Sequence, residues 1–328
     1  MNNWEGTIVV TGGAGFIGSC MVRTLNDMGR TDLVIVDNVA ETEKWKNIRN
    51  KKYLQYVHKS QFLQALQNGE YGTISGIIHM GACSSTIQQD FDYLWENNVE
   101  YTKVLWKYCA DERIPFIYAS SAATYGDGEQ GFDDKSDIDL LKPLNAYGYS
   151  KQVFDQWSLK QKNTPSQYVG LKFFNVYGPN EYFKGSMASM VYHGFKQIKE
   201  TGKIRLFKSE NPNYPDGGQL RDFVYVKDVC DVIRFFMGHP EHSGIFNVGT
   251  GKAQSFEELA SAVFYALDMM PEIEYFEMPD KLKPNYQYYT QADMEKIRGL
   301  GYDKEFCDVK QGVRDYVIEH LNKQFEIY

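Results

Sequence analysis

Cysteine is scarce and unpatterned. Cys20, Cys83, Cys109, Cys230 and Cys307 are odd in number, far apart, and never form a Cys-x-x-Cys pair. That excludes a disulfide framework and a cysteine zinc site. The six histidines are equally dispersed and make no His-Glu-x-x-His run, so no metal is expected. No block of Lys or Arg interrupts a chain of formal net charge −8, which argues against a nucleic-acid partner. No uninterrupted apolar stretch is long enough for a bilayer, and residues 1–7 lack the apolar core of a signal peptide. No membrane association is expected, and a reducing cytoplasm is the expected location. Internal repeats and low-complexity tracts are missing too. What is present builds a core: apolar residues at 43% and aromatics at 15% exclude disordered and fibrous classes. A length of 328 residues suits one nucleotide-binding domain with a smaller companion.

The first half alternates short apolar runs with amphipathic stretches. Residues 7–11, 33–37, 76–82 and 116–121 read as buried strands, rich in Ile and Val and bounded by Gly or polar residues. Between the first two, Ile17, Met21, Leu25 and Met28 recur at helical spacing, and Gly29 stands where a helix C-terminus favours a left-handed residue. Helices are expected over 92–111 and 145–162, and a strand over 168–177. This order predicts an α/β fold, a Rossmann-type doubly wound parallel sheet. The pattern then changes: 180–190 is polar, and 209–219 is the strongest loop signal in the chain. Residues 222–237 return to strand and helix character. The expected division is 1–177 plus about 220–250 as the dinucleotide-binding domain. About 178–219 plus 251–328 then make a smaller mixed α/β substrate domain.

Thr11-Gly12-Gly13-Ala14-Gly15-Phe16-Ile17-Gly18 lies directly between the first strand and the first helix. Glycines there permit a tight turn, close backbone approach to a pyrophosphate and close helix–sheet contact, and the helix N-terminus offers free N–H groups. A Gly-rich turn alone is a weak signal. Asp37 adds specificity, because a carboxylate closing the second strand can bind ribose hydroxyls. Asp37 favours an unphosphorylated ribose, whereas Lys44 and Lys59 downstream can supply a cation. From spacing alone both lysines read equally well as solvated surface, so NAD and NADP both remain open.

Tyr147 and Lys151 form a Tyr-x-x-x-Lys pair, one turn apart on one helical face. An ammonium near a phenol stabilises phenolate and draws its pKa from about 10 toward neutrality, making a general base or acid for a carbinol. The segment Ser120-Ser121-Ala122-Ala123-Thr124-Tyr125-Gly126 follows a strand and can place a hydroxyl beside the same oxygen. Tyr149 is the competing tyrosine, but no lysine follows it four residues on.

The Gly-rich turn, Ser-Ala-Ala-Thr-Tyr-Gly and Tyr-x-x-x-Lys, in this order, resemble the extended short-chain dehydrogenase/reductase family. That resemblance implies a triad of Ser121, Tyr147 and Lys151. A finer resemblance is to the ADP-heptose 6-epimerase family, over nearly the whole chain from Thr11 to beyond Gly301. Gly81-Ala82-Cys83-Ser84-Ser85-Thr86, Lys184-Gly185-Ser186-Met187-Ala188-Ser189 and Thr290-Gln291-Ala292-Asp293 are its more particular segments. Phe174-Asn175-Val176-Tyr177-Gly178-Pro179 and Arg221-Asp222-Phe223 are shared with many sugar-nucleotide enzymes.

The resemblance implies epimerisation at C6 of a nucleotide-linked heptose through a ketone, serving surface-glycan or lipopolysaccharide precursor synthesis, and a homo-oligomer. It implies cofactor contacts, NADP or NAD, from Gly12, Gly15, Phe16, Ile17, Gly18, Asp37, Asn38, Lys44, Lys59, Met80, Gly81, Ala82, Cys83, Ser84, Asn97, Lys151, Val176 and Lys184. Substrate contacts are implied for Asn175, Ser186, His193, Phe207, Lys208, Ser209, Glu210, Arg221 and Tyr286. Tyr147 and Lys184 become the acid/base pair. Met80 departs from the Glu common in the family, and the 211–220 loop is longer than the family's.

Plainer readings stand beside these. His193 reads as a satisfied histidine, Lys184 as a surface lysine, and Arg221 as one half of a surface ion pair with Asp222. A 4-epimerase or reductase on another nucleotide sugar, or a dinucleotide-sensing protein without turnover, are the alternatives. A 4,6-dehydratase is disfavoured, because Ala122 and Ala123 stand where that chemistry resembles cases with an Asp-Glu pair.

Overall fold

Ile8, Val9 and Val10 are β-branched and fully buried, and they form the centre of strand β1 (Thr7–Thr11). Burial on both faces is the condition of a parallel strand covered by helices on each side. A computed structural model describes residues 4–280, 282–283 and 286–328; the expectation for residues 1–7 therefore lies partly outside the described residues. After β1 come α1 (Phe16–Asp27), β2 (Leu33–Asp37), β3 (Gln55–His58), α2 (Lys59–Gln67) and β4 (Ile74–His79). Next are α3 (Phe91–Leu94), α4 (Tyr101–Asp111), β5 (Phe116–Ser121), α5 (Ala146–Leu159), β6 (Tyr168–Phe173) and β7 (Asn175–Tyr177). The second half holds α6 (Met190–Thr201), β8 (Ile204–Phe207), β9 (Leu220–Tyr225), α7 (Val226–Gly238) and β10 (Gly244–Val248). It ends with β11 (Ala253–Ser255), α8 (Phe256–Ala266), β12 (Ile273–Phe276), α9 (Glu295–Gly299) and α10 (Val309–Asp315).

Seven strands form one parallel sheet in the order β10-β6-β5-β4-β1-β2-β3. The chain runs outward from β1 to β3 and then returns to β4 on the other side. The crevice at that reversal, beyond the strand C-termini, is where such sheets bind ligands. β9 lies between β7 and β11 in a three-stranded sheet, and β8 pairs with β12.

The expected strands at 7–11, 33–37 and 116–121 keep those limits, and Gly29 closes α1 with φ +83°. Elsewhere the structure differs. The strand expected over 76–82 runs from Ile74 to His79: its pairing ends at Thr11↔His79, after which residues 80–84 fold over the glycine turn as loop. The strand expected over 168–177 is two strands in different sheets, with Phe174 alone between them. The Phe174 N–H still donates to Val248 at 3.1 Å while the chain crosses over. The helix expected over 92–111 is helical from 91 to 111 but widens to π-helical turns over Trp95–Glu100. β3 and α2 were not expected, since Val57 is the one fully buried residue of β3.

Residues 222–237 divide their contacts. β9 pairs in the small sheet, and α7, which follows it with no intervening residue, packs against α1. The Asp222 carboxylate accepts the backbone N–H groups of Thr250, Gly251 and Ala292 at 2.7–3.0 Å, tying β9 to the chain leaving β10.

Candidate active site

Gly12 closes β1 with φ +65°, and a Cβ there would stand 2.6 Å from the Gly81 nitrogen. A Cβ on Gly18 would stand 2.2 Å from the Gly12 carbonyl oxygen. The ends of β1 and β4 and the first turn of α1 therefore meet backbone to backbone. Gly15 caps α1 without any side-chain acceptor for the first N–H groups, which leaves donors and the positive end of the helix dipole facing the cleft. Such a donor set fits a pyrophosphate. Asp37, at the end of β2, accepts the Ala14 N–H at 2.9 Å and the Asn38 N–H at 2.7 Å. The Lys44 ammonium sits 2.8 Å from the same carboxylate. Lys44 is thus brought to Asp37 at the cleft rather than left as solvated surface.

A cavity of about 360 Å³ runs along this turn, and one of about 170 Å³ continues it over Asp37. Gly12, Gly15, Phe16, Ile17, Gly18, Asp37, Lys44, Met80, Gly81, Ala82, Ser84, Lys151, Val176 and Lys184 line the larger, together with Ser121 and Tyr147. Asn38, Lys59, Cys83 and Asn97 line the smaller, and Lys59 donates to the Asn97 carboxamide. Every residue expected at the cofactor lies on this continuous cleft. Asn47, Asn180 and Phe183 also line it, and no local pattern in the sequence marks them.

Ser121 ends β5, and its hydroxyl accepts the Ala123 N–H at 3.1 Å. Asn145 caps α5 by accepting the Gly148 N–H at 2.8 Å, and Tyr147 on the first turn reaches the Ser121 hydroxyl. Burial pushes the Tyr147 phenol upward, and the Ser121 bond opposes it. The expected acidification by Lys151 is not the governing influence: the Lys151 ammonium donates to the Ala119 carbonyl at 2.8 Å instead. Burial pushes Lys151 down to about 8, with the Asp155 carboxylate opposing. Asp155, one turn further along α5 and fully buried, accepts the hydroxyls of Ser120 at 2.6 Å and Tyr118 at 3.0 Å, and pairs with buried Lys172 at 3.4 Å.

Asn98, in the π-helical turns, holds the other side. Its carboxamide accepts the Cys83 N–H at 2.8 Å and donates to the Cys83 carbonyl and the Ser150 hydroxyl, both at 3.0 Å. Ser150 in turn donates to the Tyr147 carbonyl at 2.7 Å. Behind these, His79 bridges Thr11 and Thr102 at 2.5 and 3.0 Å. The Thr102 hydroxyl donates to the Asn98 carbonyl at 2.8 Å, so Nε2 carries the imidazole hydrogen. Neither Asn98 nor Asp155 was anticipated.

The residues expected at the substrate do not line these two cavities. Arg221 and Tyr286 come together, the guanidinium 5.3 Å from the ring centroid, and the Phe207 ring lies 6.3 Å from Tyr286. Arg221 is buried and donates to the carbonyls of Leu220 and Gln287, so the surface pair with Asp222 does not form. Glu210 pairs with Lys283 at 2.9 Å, Lys208 with Glu277 at 2.7 Å, and the Ser209 hydroxyl donates to Asn211 at 2.8 Å. Ser186 follows Lys184, and the His193 imidazole bonds the Ser186 backbone; burial draws His193 down. Asn175 stands exposed on β7.

Residues 8–249 match the model of the NAD dependent epimerase/dehydratase family. The ADP-L-glycero-D-manno-heptose-6-epimerase of Fusobacterium nucleatum is 50% identical, covering 97% of this chain and 98% of its own. That of Nitratidesulfovibrio vulgaris is 49% identical, covering 95% and 97%. Among solved structures, the Helicobacter pylori ADP-L-glycero-D-manno-heptose-6-epimerase superposes with a TM-score of 0.80 at 27% identity, over 97% of each chain. Near-complete coverage in both directions and a shared fold lead to one assignment: the chain belongs to the NAD dependent epimerase/dehydratase family, on its heptose-6-epimerase branch.

Proposed function

We propose that the protein epimerises ADP-glycero-manno-heptose at C6, D-glycero to L-glycero, by transient oxidation to a ketone and re-reduction. The observation that carries this is the single cleft on which Ser121, Tyr147, Lys151 and Lys184 meet the glycine turn; the curated relatives' names supply the sugar. When bound, a nicotinamide dinucleotide supplies the hydride acceptor and donor. The chain's own part is proton transfer and placement. Tyr147 exchanges the carbinol proton, with Ser121 fixing the phenol. Inversion requires C6 to present its other face, which moves its oxygen away from Tyr147, so a second group is required. Lys184 suits that role, because burial draws its ammonium below the ordinary lysine range.

We infer NADP in preference to NAD. Lys44 offsets the Asp37 charge, and Lys59 and Asn38 share the smaller cavity, an arrangement that tolerates a 2′-phosphate. The Arg221–Tyr286–Phe207 cluster, residues 208–210, and Asn175, Ser186 and His193 are assigned to the nucleotide sugar. Residues 1–177 with about 220–250 make the dinucleotide-binding unit, and about 178–219 with 251–328 the substrate unit. Among the described residues no helix is long and apolar enough to cross a membrane. Action in the cytoplasm as a homo-oligomer, on precursors of heptose-containing glycans, completes the reading.

The test supplies each pure C6 epimer to the freshly purified protein and follows interconversion, with mass spectrometry of the released dinucleotide. Wild type interconverts the epimers. Tyr147→Phe retains cofactor and loses epimerisation, while Lys184→Met loses net epimerisation yet still slowly reduces cofactor with one epimer. No interconversion by the cofactor-loaded wild type sinks the assignment, and parental rates in Lys184→Met remove the second acid/base.

A further inference from the structure

The segment joining β7 to α6 carries Lys184, and one buried side chain ties both of its ends. Glu181 is fully buried. Its Oε2 accepts the Ser189 N–H at 2.6 Å, and its Oε1 accepts the Ser189 hydroxyl at 2.6 Å and the Gly178 N–H at 3.3 Å. Gly178 directly follows β7, and Ser189 is the residue that caps α6. The Glu181 carbonyl also accepts the Lys184 N–H at 3.0 Å, so the lysine is set one turn beyond the carboxylate. At its other end the Lys184 ammonium lies 5.1 Å from the centroid of the Phe16 ring, on the wall of the cofactor cleft.

Burying an uncompensated carboxylate is costly, and so is burying an ammonium. Here each answers the other. Burial pushes the Glu181 carboxyl upward, opposed first by Lys184 and then by the Ser189 bonds. Burial pulls Lys184 down, opposed by Glu181. The other ionisable groups facing the carboxylate are Tyr316, Tyr182 and Cys20, all held neutral by burial. Glu181 is the one charge that opposes the effect of burial on Lys184 among the described residues.

We propose that Glu181 is the positioning residue of the second acid/base, closing the loop at both ends and keeping Lys184 able to carry its proton. The proposal rests on the reading of Lys184 as that acid/base. Glu181 itself lines neither cavity of the cleft.

The test compares pH profiles of net epimerisation for the holoenzyme and two variants. Glu181→Gln keeps the shape: its carboxamide can still accept the Ser189 N–H and donate to the Ser189 oxygen, only the long Gly178 N–H bond of 3.3 Å is lost, and the charge is gone. One ionisation of the holoenzyme's profile, identified by its absence when single-epimer cofactor reduction by Lys184→Met is followed against pH, moves to lower pH by about one pH unit in Glu181→Gln, as expected for loss of a nearby opposite charge. Glu181→Asp, which retains the charge, restores the parental profile at reduced rate. A Gln variant that slows turnover without moving the profile overturns the proposal, leaving Glu181 a loop brace alone. Should the Gln variant fail to fold, isotope-labelled methyl groups on the lysines of the wild-type holoenzyme give a second reading. The Lys184 resonance, assigned by its loss in Lys184→Met, should carry a second, more acidic inflection from Glu181. A single inflection overturns the pairing. That titration stands whether or not Lys184 acts in catalysis, so the two failures are distinguishable.

Discussion

Replacing Asn98 by Ala removes the carboxamide that joins the loop over the cofactor cleft to the catalytic helix. Three hydrogen bonds disappear, two to the Cys83 backbone and one to Ser150. Ser150 keeps its bond to the Tyr147 carbonyl, so its loss is partial. The Cys83 N–H and C=O lose these partners beside a side chain that is 1% exposed. A buried polar group left without a partner costs roughly 1–3 kcal/mol. Cys83 is half-buried, and water on its cavity side recovers part of that, so the net loss is about 2–4 kcal/mol. In a chain of this size that lowers Tm by on the order of 5 °C. Residues 81–84 also line the cleft, so dinucleotide affinity should fall about tenfold, equivalent to about 1.4 kcal/mol. Unfolding by urea and fluorescence titration of the dinucleotide read the two effects separately. Asn98→Asp sharpens the test. It keeps an acceptor for the Cys83 N–H but turns an oxygen toward the Cys83 carbonyl and the Ser150 oxygen. It should therefore be worse than Ala at neutral pH and recover when the carboxyl is protonated. An Ala variant within about 0.5 kcal/mol of the parent, with unchanged dinucleotide affinity, would refute the reasoning, since that is the scatter of inconsequential substitutions.

Gly18→Ala sets a methyl group against the Gly12 carbonyl, which cannot retreat without deforming the turn. A loss of about 1–3 kcal/mol in stability, with at least tenfold weaker dinucleotide binding, is expected. Gly238→Ala, at the end of α7 with nothing within 4 Å of its Cβ, is the control that leaves dinucleotide binding unchanged and does not lower stability. His79 governs acid sensitivity. Burial lowers its pKa to about 3, so the unfolded chain binds a proton that the folded one refuses. The stability this residue permits is complete above the unfolded value of 6.5 and declines as pH falls toward about 3. The slope is about 1.4 kcal/mol per pH unit, and urea unfolding at successive pH values should lose it in His79→Gln; an unchanged slope would contradict the assignment.

Sequence legibility followed how locally each feature is encoded. β2 could be bounded to the residue because all five of its positions are buried between polar flanks. β3 could not, with one buried residue in four. The crossing at Phe174 was hidden because the strands on either side are both largely apolar, so periodicity does not register a change of sheet. The glycine turn and the Tyr147–Lys151 pair are local spacings and were readable directly, and the cleft gathers the cofactor and acid/base residues that the family resemblance implied, though not the substrate ones. Asn98 was not readable, since its partners lie 15 and 52 residues away. For Arg221 the sequence left a surface ion pair with Asp222 open beside the substrate contact, because Tyr286 and Phe256, whose rings flank the guanidinium, lie 65 and 35 residues away.

The crossing at Phe174 also limits how the molecule can open. The small sheet leaves the large one at β6 through a single residue, leaves its neighbour β10 through a short turn held by Asp222, and continues into α7 with no linker at all. Three separate attachments would all have to yield together before the two sheets could swing apart. Admission and release of the sugar nucleotide then fall to loops such as 209–219, whose rearrangement would leave both sheets, and the segment braced by Glu181, in place.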